Sequence, residues 1–196
     1  MKRYMFGGWL AGVSMMLFGC AKSTADLPAV RGFEPRRYLG EWYEIARLPH
    51  RFERGLDFVR AQYSLNPDGS IRVVNSGVRD GKPRSIEGRA RLKAPEQVPL
   101  AGELEVSFFR PFYSDYRIIE LDPGYRYAVV TGADRDYLWI LAREPQLDGS
   151  QLERLLERAK SRGFAVEKLE FPRQRGVTGG AGGANATRAA APHRGE

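Results

Sequence analysis

The sequence predicts an all-β fold: an eight-stranded antiparallel up-and-down barrel with one C-terminal α-helix packed against its outer wall. Three observations carry this expectation. Apolar residues recur with period two over most of residues 33–172, short turn sequences join the alternating runs, and a single helix-period stretch follows the last of them. The alternation is plainest where Ile86, Gly88, Ala90 and Leu92 interleave with Ser85, Glu87, Arg89 and Arg91, and where Leu104, Val106 and Phe108 interleave with Glu103, Glu105 and Ser107. Each is a strand with one wet face. Similar runs occupy roughly 41–48, 57–65, 70–79, 115–121, 125–131 and 136–143, parted by turns such as Asn66-Pro67-Asp68-Gly69 and Asp122-Pro123-Gly124. These connections are too short for crossover helices, so neighbours pair antiparallel, and eight such strands remove their exposed edges by closing on themselves. An open sandwich is the alternative.

The helix is expected after residue 149. Ser150 with Glu153 forms a capping box, Leu152, Leu155, Leu156 and Ala159 make one apolar stripe, and Gly163 offers a stop. Phe164 to Phe171 alternates again and predicts a ninth, short strand.

Both ends fall outside this pattern. Lys2 and Arg3 precede an apolar run from Tyr4 to Phe18, too short for a membrane span and right for a signal peptide. It ends Leu17-Phe18-Gly19-Cys20, which resembles the bacterial lipobox, with Phe18 where a small residue is usual. That resemblance implies cleavage before Cys20 and its acylation, anchoring the chain to a membrane. Ala21, where an aspartate would resemble an inner-membrane retention signal, points to the outer membrane, facing the periplasm. From Arg173 to Glu196 half of the residues are Gly or Ala, a composition that cannot bury enough surface to order itself. The expected division is therefore a lipoprotein signal peptide over 1–19, a lipidated N-terminus and linker over 20–32, the barrel over 33–172 and a disordered tail over 173–196.

Composition narrows the function. The net charge of +7 is largely a property of the two ends, and residues 4–172 keep an excess of about two cations, so no basic stripe marks a nucleic-acid partner. One cysteine and two histidines leave no zinc or iron–sulfur set, and no cofactor is expected.

Gly40-Glu41-Trp42-Tyr43-Glu44-Ile45-Ala46-Arg47 resembles the glycine-x-tryptophan motif that opens the first strand of lipocalins. Arg135-Asp136-Tyr137-Leu138-Trp139-Ile140-Leu141-Ala142-Arg143 resembles their last strand and its closing arginine. With Arg37-Tyr38-Leu39 and Ser107-Phe108-Phe109-Arg110-Pro111-Phe112-Tyr113 between, the chain is similar to bacterial outer-membrane lipocalins related to apolipoprotein D. The middle motif departs: Asp122-Pro123-Gly124-Tyr125 stands where Thr-Asp-Tyr is usual. The resemblance implies that Gly40, Trp42 and Arg143 are barrel-closing structural residues, the arginine lying across the indole. Strand parity then points Trp42, Ala46, Tyr137, Trp139, Leu141 and Arg143 inward and sets Ile45, Leu138, Ile140 and Ala142 under the helix.

Strands away from the helix have solvent outside, so their apolar faces must line the interior: Val59, Ala61, Tyr63, Ile86, Ala90, Leu92, Leu104, Val106 and Phe108, with Trp139. Small residues beside large ones in this set predict a cavity, a fully packed barrel being the alternative. Lipocalin strand order would put loops 49–56, 79–84, 110–115 and 132–136 at the open end. They hold Arg51, Arg54, Arg79, Lys82, Arg84, Arg110 and Arg135, the aromatic pair Phe112 and Tyr113, and acids at 53, 80, 115, 134 and 136. Arg51, Arg54, Arg110, Phe112 and Tyr113 are the expected head-group set.

The function implied is binding of a fatty acid or lysophospholipid, stored or transported for envelope maintenance, and some proteins of this kind form homodimers. A membrane-anchored barrel docking a protein partner through its rim, without lipid carriage, is the alternative. Catalysis is not expected: Cys20 precedes the barrel, and His50 beside Glu53 has no serine partner in any motif and reads as a solvated loop contact.

Overall fold

The computed structural model describes residues 23–174. Cys20, the apolar leader and residues 175–196 lie outside the described residues. Eight strands close into one antiparallel barrel in sequence order: β1 (Gly40–Arg47), β2 (Asp57–Leu65), β3 (Ile71–Arg79), β4 (Lys82–Leu92), β5 (Glu103–Phe109), β6 (Phe112–Leu121), β7 (Tyr127–Thr131) and β8 (Leu138–Ala142). β8 pairs back onto β1, so no edge is left open. A four-residue turn of helix, α1 (Pro35–Tyr38), precedes β1.

One long helix, α2 (Gly149–Ser161), lies on the wall, and its cap corrects the expected box. Asp148 is the N-cap, its carboxylate accepting from the Gln151 amide at 3.2 Å, while the Ser150 hydroxyl donates to that carboxylate instead of capping. Gly163 follows with φ +85°, a left-handed stop. The ninth strand does not form. Val166–Lys168 is a 3₁₀ turn, and only Glu170 pairs, in a single bridge to Arg47. Val166 and Leu169 instead pack into the helix-side cluster, so the residues that read as one face of a strand turn onto the wall.

Two apolar clusters result. One fills the barrel interior, with Phe33, Tyr38, Trp42, Tyr63, Val73, Ala90, Leu104, Ile118, Val130 and Leu141 at its centre. The other lies between barrel and helix, joining Ile45, Ile119, Val129, Leu138, Ile140 and Ala142 to Leu155, Ala159 and Phe164. Ala46 belongs to this outer cluster, which corrects its expected inward direction. The register shifts between Glu44 and Ala46, so a β-bulge turns Ile45 and Ala46 outward together and reverses the parity beyond them. Arg47, which plain alternation would put outside, becomes a buried residue on the same face as Glu44.

Residues 23–33 do not behave as a linker; they form a strap along the outer wall. The Thr24 amide donates to the Ala133 carbonyl (3.0 Å) and its hydroxyl to that of Gly132 (2.7 Å), holding one end at the β7–β8 loop. Leu27 is buried in the helix-side cluster, and the Arg117 guanidinium reaches the Thr24 and Leu27 carbonyls. Val30 exchanges hydrogen bonds with Ile118 and Gly102, and the Phe33 amide donates to the Leu100 carbonyl at the opposite end. At the other terminus Arg173 and Gln174, the first residues of the expected tail, are tied to the barrel. Arg173 pairs with Asp57, and the Gln174 amide group donates to the Glu44 and Val59 carbonyls.

If the strap is part of the fold, Leu27→Ala should lower unfolding free energy by about 2–4 kcal/mol, the range for a buried leucine truncation. Chemical denaturation of variant and parent measures it; an unchanged midpoint would make 23–33 a passive linker.

Candidate functional site

The barrel has a sealed end and an open end. Trp42 sits at the sealed end as the first inward residue of β1, fully buried, its indole N–H donating to the Tyr38 carbonyl at 2.8 Å. The Arg143 guanidinium lies over that ring, 4.0 Å from its centroid. The same group donates to the carbonyls of Glu41 (2.7 Å), Arg37 (2.8 Å) and Leu39 (2.8 Å). Burial lowers the pKa of Arg143 from its ordinary value. Gly40 makes the approach feasible: its φ is +96°, and a Cβ there would stand 3.2 Å from the arginine Nη1. Tyr125, Phe33 and Tyr38 complete the plug, the Tyr125 hydroxyl accepting from the Glu34 amide at 2.8 Å.

Just inside the plug, the hydroxyls of Tyr38 and Tyr63 both meet that of Tyr116, at 2.7 and 3.0 Å. Burial pushes the Tyr63 phenol up to about 12 and raises the other two well above their ordinary value, so all three remain neutral hydrogen-bonding groups in an apolar setting.

The expected lining residues divide. Tyr63, Ala90 and Leu104 are buried in the inner cluster, and Ala61, Leu92, Val106, Phe108 and Trp139 pack against it half-buried. Phe108 lies against Gly88, where a Cβ would stand 2.7 Å from its ring. Val59 is buried but falls in a β2 bulge outside that cluster. Ile86 shares the inward parity of Ala90, yet it is 39% exposed and joins neither cluster, because β4 runs on past the packed interior.

The mouth departs most from the sequence reading. The Arg47 guanidinium donates to the Glu44 carboxylate at 2.6 Å and to that of Glu170 at 2.8 and 3.0 Å. Opposite, the Trp139 indole N–H donates to Glu53 at 3.1 Å, and His50 Nε2 stands 2.7 Å from the same carboxylate. The His50–Glu53 pair is thus largely buried, not a solvated loop contact. Burial, reinforced by the nearby Glu53 charge, drives the Glu44 carboxyl up to about 8 in spite of Arg47. Glu53 goes the other way, its carboxyl lowered against the cost of burial by the adjoining His50 ring and by the hydrogen bond from Trp139.

Of the head-group set, Arg51, Arg54, Arg110 and Phe112 are exposed at the open end. Tyr113 lies instead on the outer wall beneath the Arg91 guanidinium, 4.5 Å from its ring centroid. Arg135 holds the strap through the Ser23 carbonyl and Asp26. Among the described residues no cluster of three His, Cys, Asp or Glu side chains could hold a metal ion.

The family profile described as a lipocalin-like domain matches residues 33–174. The chain belongs to the lipocalin family. It is 44% identical over 168 residues to the outer membrane lipoprotein Blc of Citrobacter freundii, covering 84% of this chain and 93% of that protein. It is 42% identical over 170 residues to the Blc of Escherichia coli (strain K12), covering 85% and 94%. Bovine apolipoprotein D is 33% identical over 174 residues, covering 81% and 89%. In fold, insecticyanin from the tobacco hornworm Manduca sexta superposes with a TM-score of 0.62 at 21% identity, covering 75% of this chain and 84% of that one. This lipocalin therefore combines the family's barrel with a buried charged collar at its mouth, formed where the β1 bulge turns Arg47 inward.

Two measurements test these ends. Trp42→Ala should cost about 3–5 kcal/mol. In a double-mutant cycle with Arg143→Ala the coupling should exceed about 0.5 kcal/mol, whereas strict additivity would mean that the two do not interact. For Glu44 the proton is shared by both states below about pH 4.5 and by neither above about 8. Between them the folded protein keeps a proton that the unfolded chain has released, so stability falls as pH rises. Glu44→Gln cannot ionise and should gain on the parent by about 2–4 kcal/mol from pH 4.5 to 8, over any constant offset from the altered Arg47 contact. Urea midpoints across that range would show it, and parallel pH profiles would contradict it.

Proposed function

We propose that this lipocalin is an outer-membrane lipoprotein, anchored through acylated Cys20 and facing the periplasm, that binds a fatty acid or lysophospholipid in its barrel and stores or transports it for envelope maintenance. The carrying observation is the gradient along the barrel axis. An aromatic plug capped by Arg143 closes one end, the inward faces of Ala61, Ala90, Leu104, Val106 and Phe108 follow, and the paired charges of the collar and rim stand at the other. The half-buried state of Ala61, Val106, Phe108 and Trp139, all packed on the interior cluster, supports an interior reached from the mouth. Lipocalins bind small hydrophobic ligands, and several similar proteins bear the name outer membrane lipoprotein, which supports both halves of the reading.

The driving chemistry is burial of an acyl chain. At about 0.8 kcal/mol per methylene, a dozen buried methylenes yield roughly 10 kcal/mol before the cost of leaving a competing membrane. A single tail suits an eight-stranded barrel, which has room for one small ligand. The anionic head would meet Arg51, Arg54 and Arg110, three of the exposed cations of the rim, since Arg47 is engaged by two carboxylates.

The test is a titration of delipidated protein with a fluorescent fatty acid. Ala90→Trp, adding volume to an inward face, should weaken binding about tenfold, some 1.4 kcal/mol, while unfolding stays cooperative. The outward Arg91→Ala should bind as the parent does. A parent that takes up no acyl ligand, or a folded Ala90→Trp that binds unimpaired, would replace carriage with docking of a protein partner at the rim.

A further inference from the structure

We infer that the open end of the barrel is itself a membrane-docking surface, which seats the mouth face-down on an anionic phospholipid leaflet. Three independent placements point to it.

The first is where the large exposed side chains lie. Phe52 is 63% exposed in the β1–β2 loop and Phe112 is 78% exposed at the β5–β6 turn, and both loops stand at the open end. Phe109, in the same turn, and Tyr137, in the β7–β8 loop, are also exposed there. The sealed end shows only the aliphatic Leu65 and Val98 among the large exposed hydrophobics of the described residues. Tyr137 stacks on Trp139 and Phe52 lies beneath Arg51, yet all four rings stay open to water, and aromatic side chains are favoured at the bilayer interface.

The second is charge. Loops 49–56, 79–84, 110–115 and 132–136 carry Arg51, Arg54, Arg79, Lys82, Arg84, Arg110 and Arg135 against Glu53, Asp80, Asp115, Asp134 and Asp136. Glu53 is turned into the collar, where it meets His50 and Trp139. At the sealed end cations and acids nearly balance: Arg36, Arg37, Lys93, Arg126 and Arg143 face Glu34, Asp68, Glu96, Asp122, Glu144 and Asp148. A cationic rim with interleaved aromatics matches an anionic lipid surface, where charge attracts and rings insert.

The third is where the chain leaves the fold. The strap reaches the open end at Ser23, which bridges Asp134 in the β7–β8 loop. Cys20 is three residues upstream, and three residues of chain span about 10 Å at most. This placement, unlike the other two, rests on the anchoring proposed above: with Cys20 in the leaflet, the mouth cannot stand further than that from the head groups. The tether and the rim chemistry select the same end. A lipid entering or leaving the barrel would then pass between mouth and leaflet with little exposure to water.

The test uses the chain from Ala21 onward, which keeps every residue of barrel and strap and lacks the cysteine, so that acyl anchoring cannot contribute. It should co-sediment with vesicles of phosphatidylcholine containing about a third phosphatidylglycerol, bind pure phosphatidylcholine at least tenfold more weakly, and lose binding as salt rises. Phe52→Ala with Phe112→Ala should weaken binding about tenfold, and reversing Arg51, Arg54 and Arg110 to Glu should abolish it. Leu65→Ala with Val98→Ala at the sealed end should leave it unchanged. Ala90→Trp should dock as the parent does even where its fatty-acid titration is impaired, so docking and carriage fail separately. Near-ultraviolet circular dichroism confirms that each variant is folded. The inference is overturned if the parent ignores anionic vesicles, if folded rim variants bind like the parent, or if Ala90→Trp loses vesicle binding. It is equally overturned if the rim substitutions abolish capture of a protein partner while vesicle binding persists.

Discussion

The closure of this barrel depends on one cation lying over one indole. Arg143 follows the last strand and Trp42 lies near the start of the first, so the contact joins the two strands whose pairing turns a sheet into a barrel. The guanidinium also donates to the carbonyls of Arg37 in α1, Leu39 in the connection and Glu41 in β1, tying the helix turn and the first strand to the last. Replacing it would therefore expose several unmet acceptors at once, beyond the loss of attraction to the ring. Gly40 is fixed by the same geometry, since any side chain there would occupy the arginine's place in a backbone conformation that L-residues resist.

Most of the architecture was legible because alternation is a direct record of a sheet with one wet face. The eight strands, their antiparallel order and the outer helix follow from it, and the two end motifs supplied the closure. What stayed hidden has a common cause: places where local geometry departs from strict alternation. The Glu44–Ala46 bulge is one: strict parity reads through the adjacent apolar pair Ile45-Ala46, yet that pair marks the shift that moves Arg47 from solvent to the collar. Phe164 to Phe171 is the converse, a sound alternation that the chain uses as a 3₁₀ turn against α2. The strap has no period at all, its hold coming from backbone hydrogen bonds that composition does not reveal. Asp148 precedes Ser150 by two residues, and only the structure shows which of the two caps.

The charged collar and the aromatic plug make the barrel polar along its axis in a functional sense. At one end burial keeps three tyrosines neutral and linked. At the other, two carboxyls at the same mouth part ways, Glu44 raised by burial and Glu53 lowered in spite of it. The difference is in partners: Glu53 receives a hydrogen bond from Trp139 and stands against the His50 ring, whereas Glu44 shares Arg47 with Glu170. A negative and a largely protonated carboxyl can thus coexist near an apolar interior, with the net charge of the entrance resting on the exposed arginines.

The strap also decides how the molecule would bear mechanical load. A pull on its N-terminal end enters at Thr24 and is resisted in sequence by the β7–β8 loop, by Arg117, by Val30 between Ile118 and Gly102, and by Phe33 at Leu100. None of these attachments belongs to a barrel ladder, so tension is shared along the outside wall before any strand pair is sheared. The strap is a strain relief, and a tethered barrel dragged sideways would slacken it before the walls themselves were stressed.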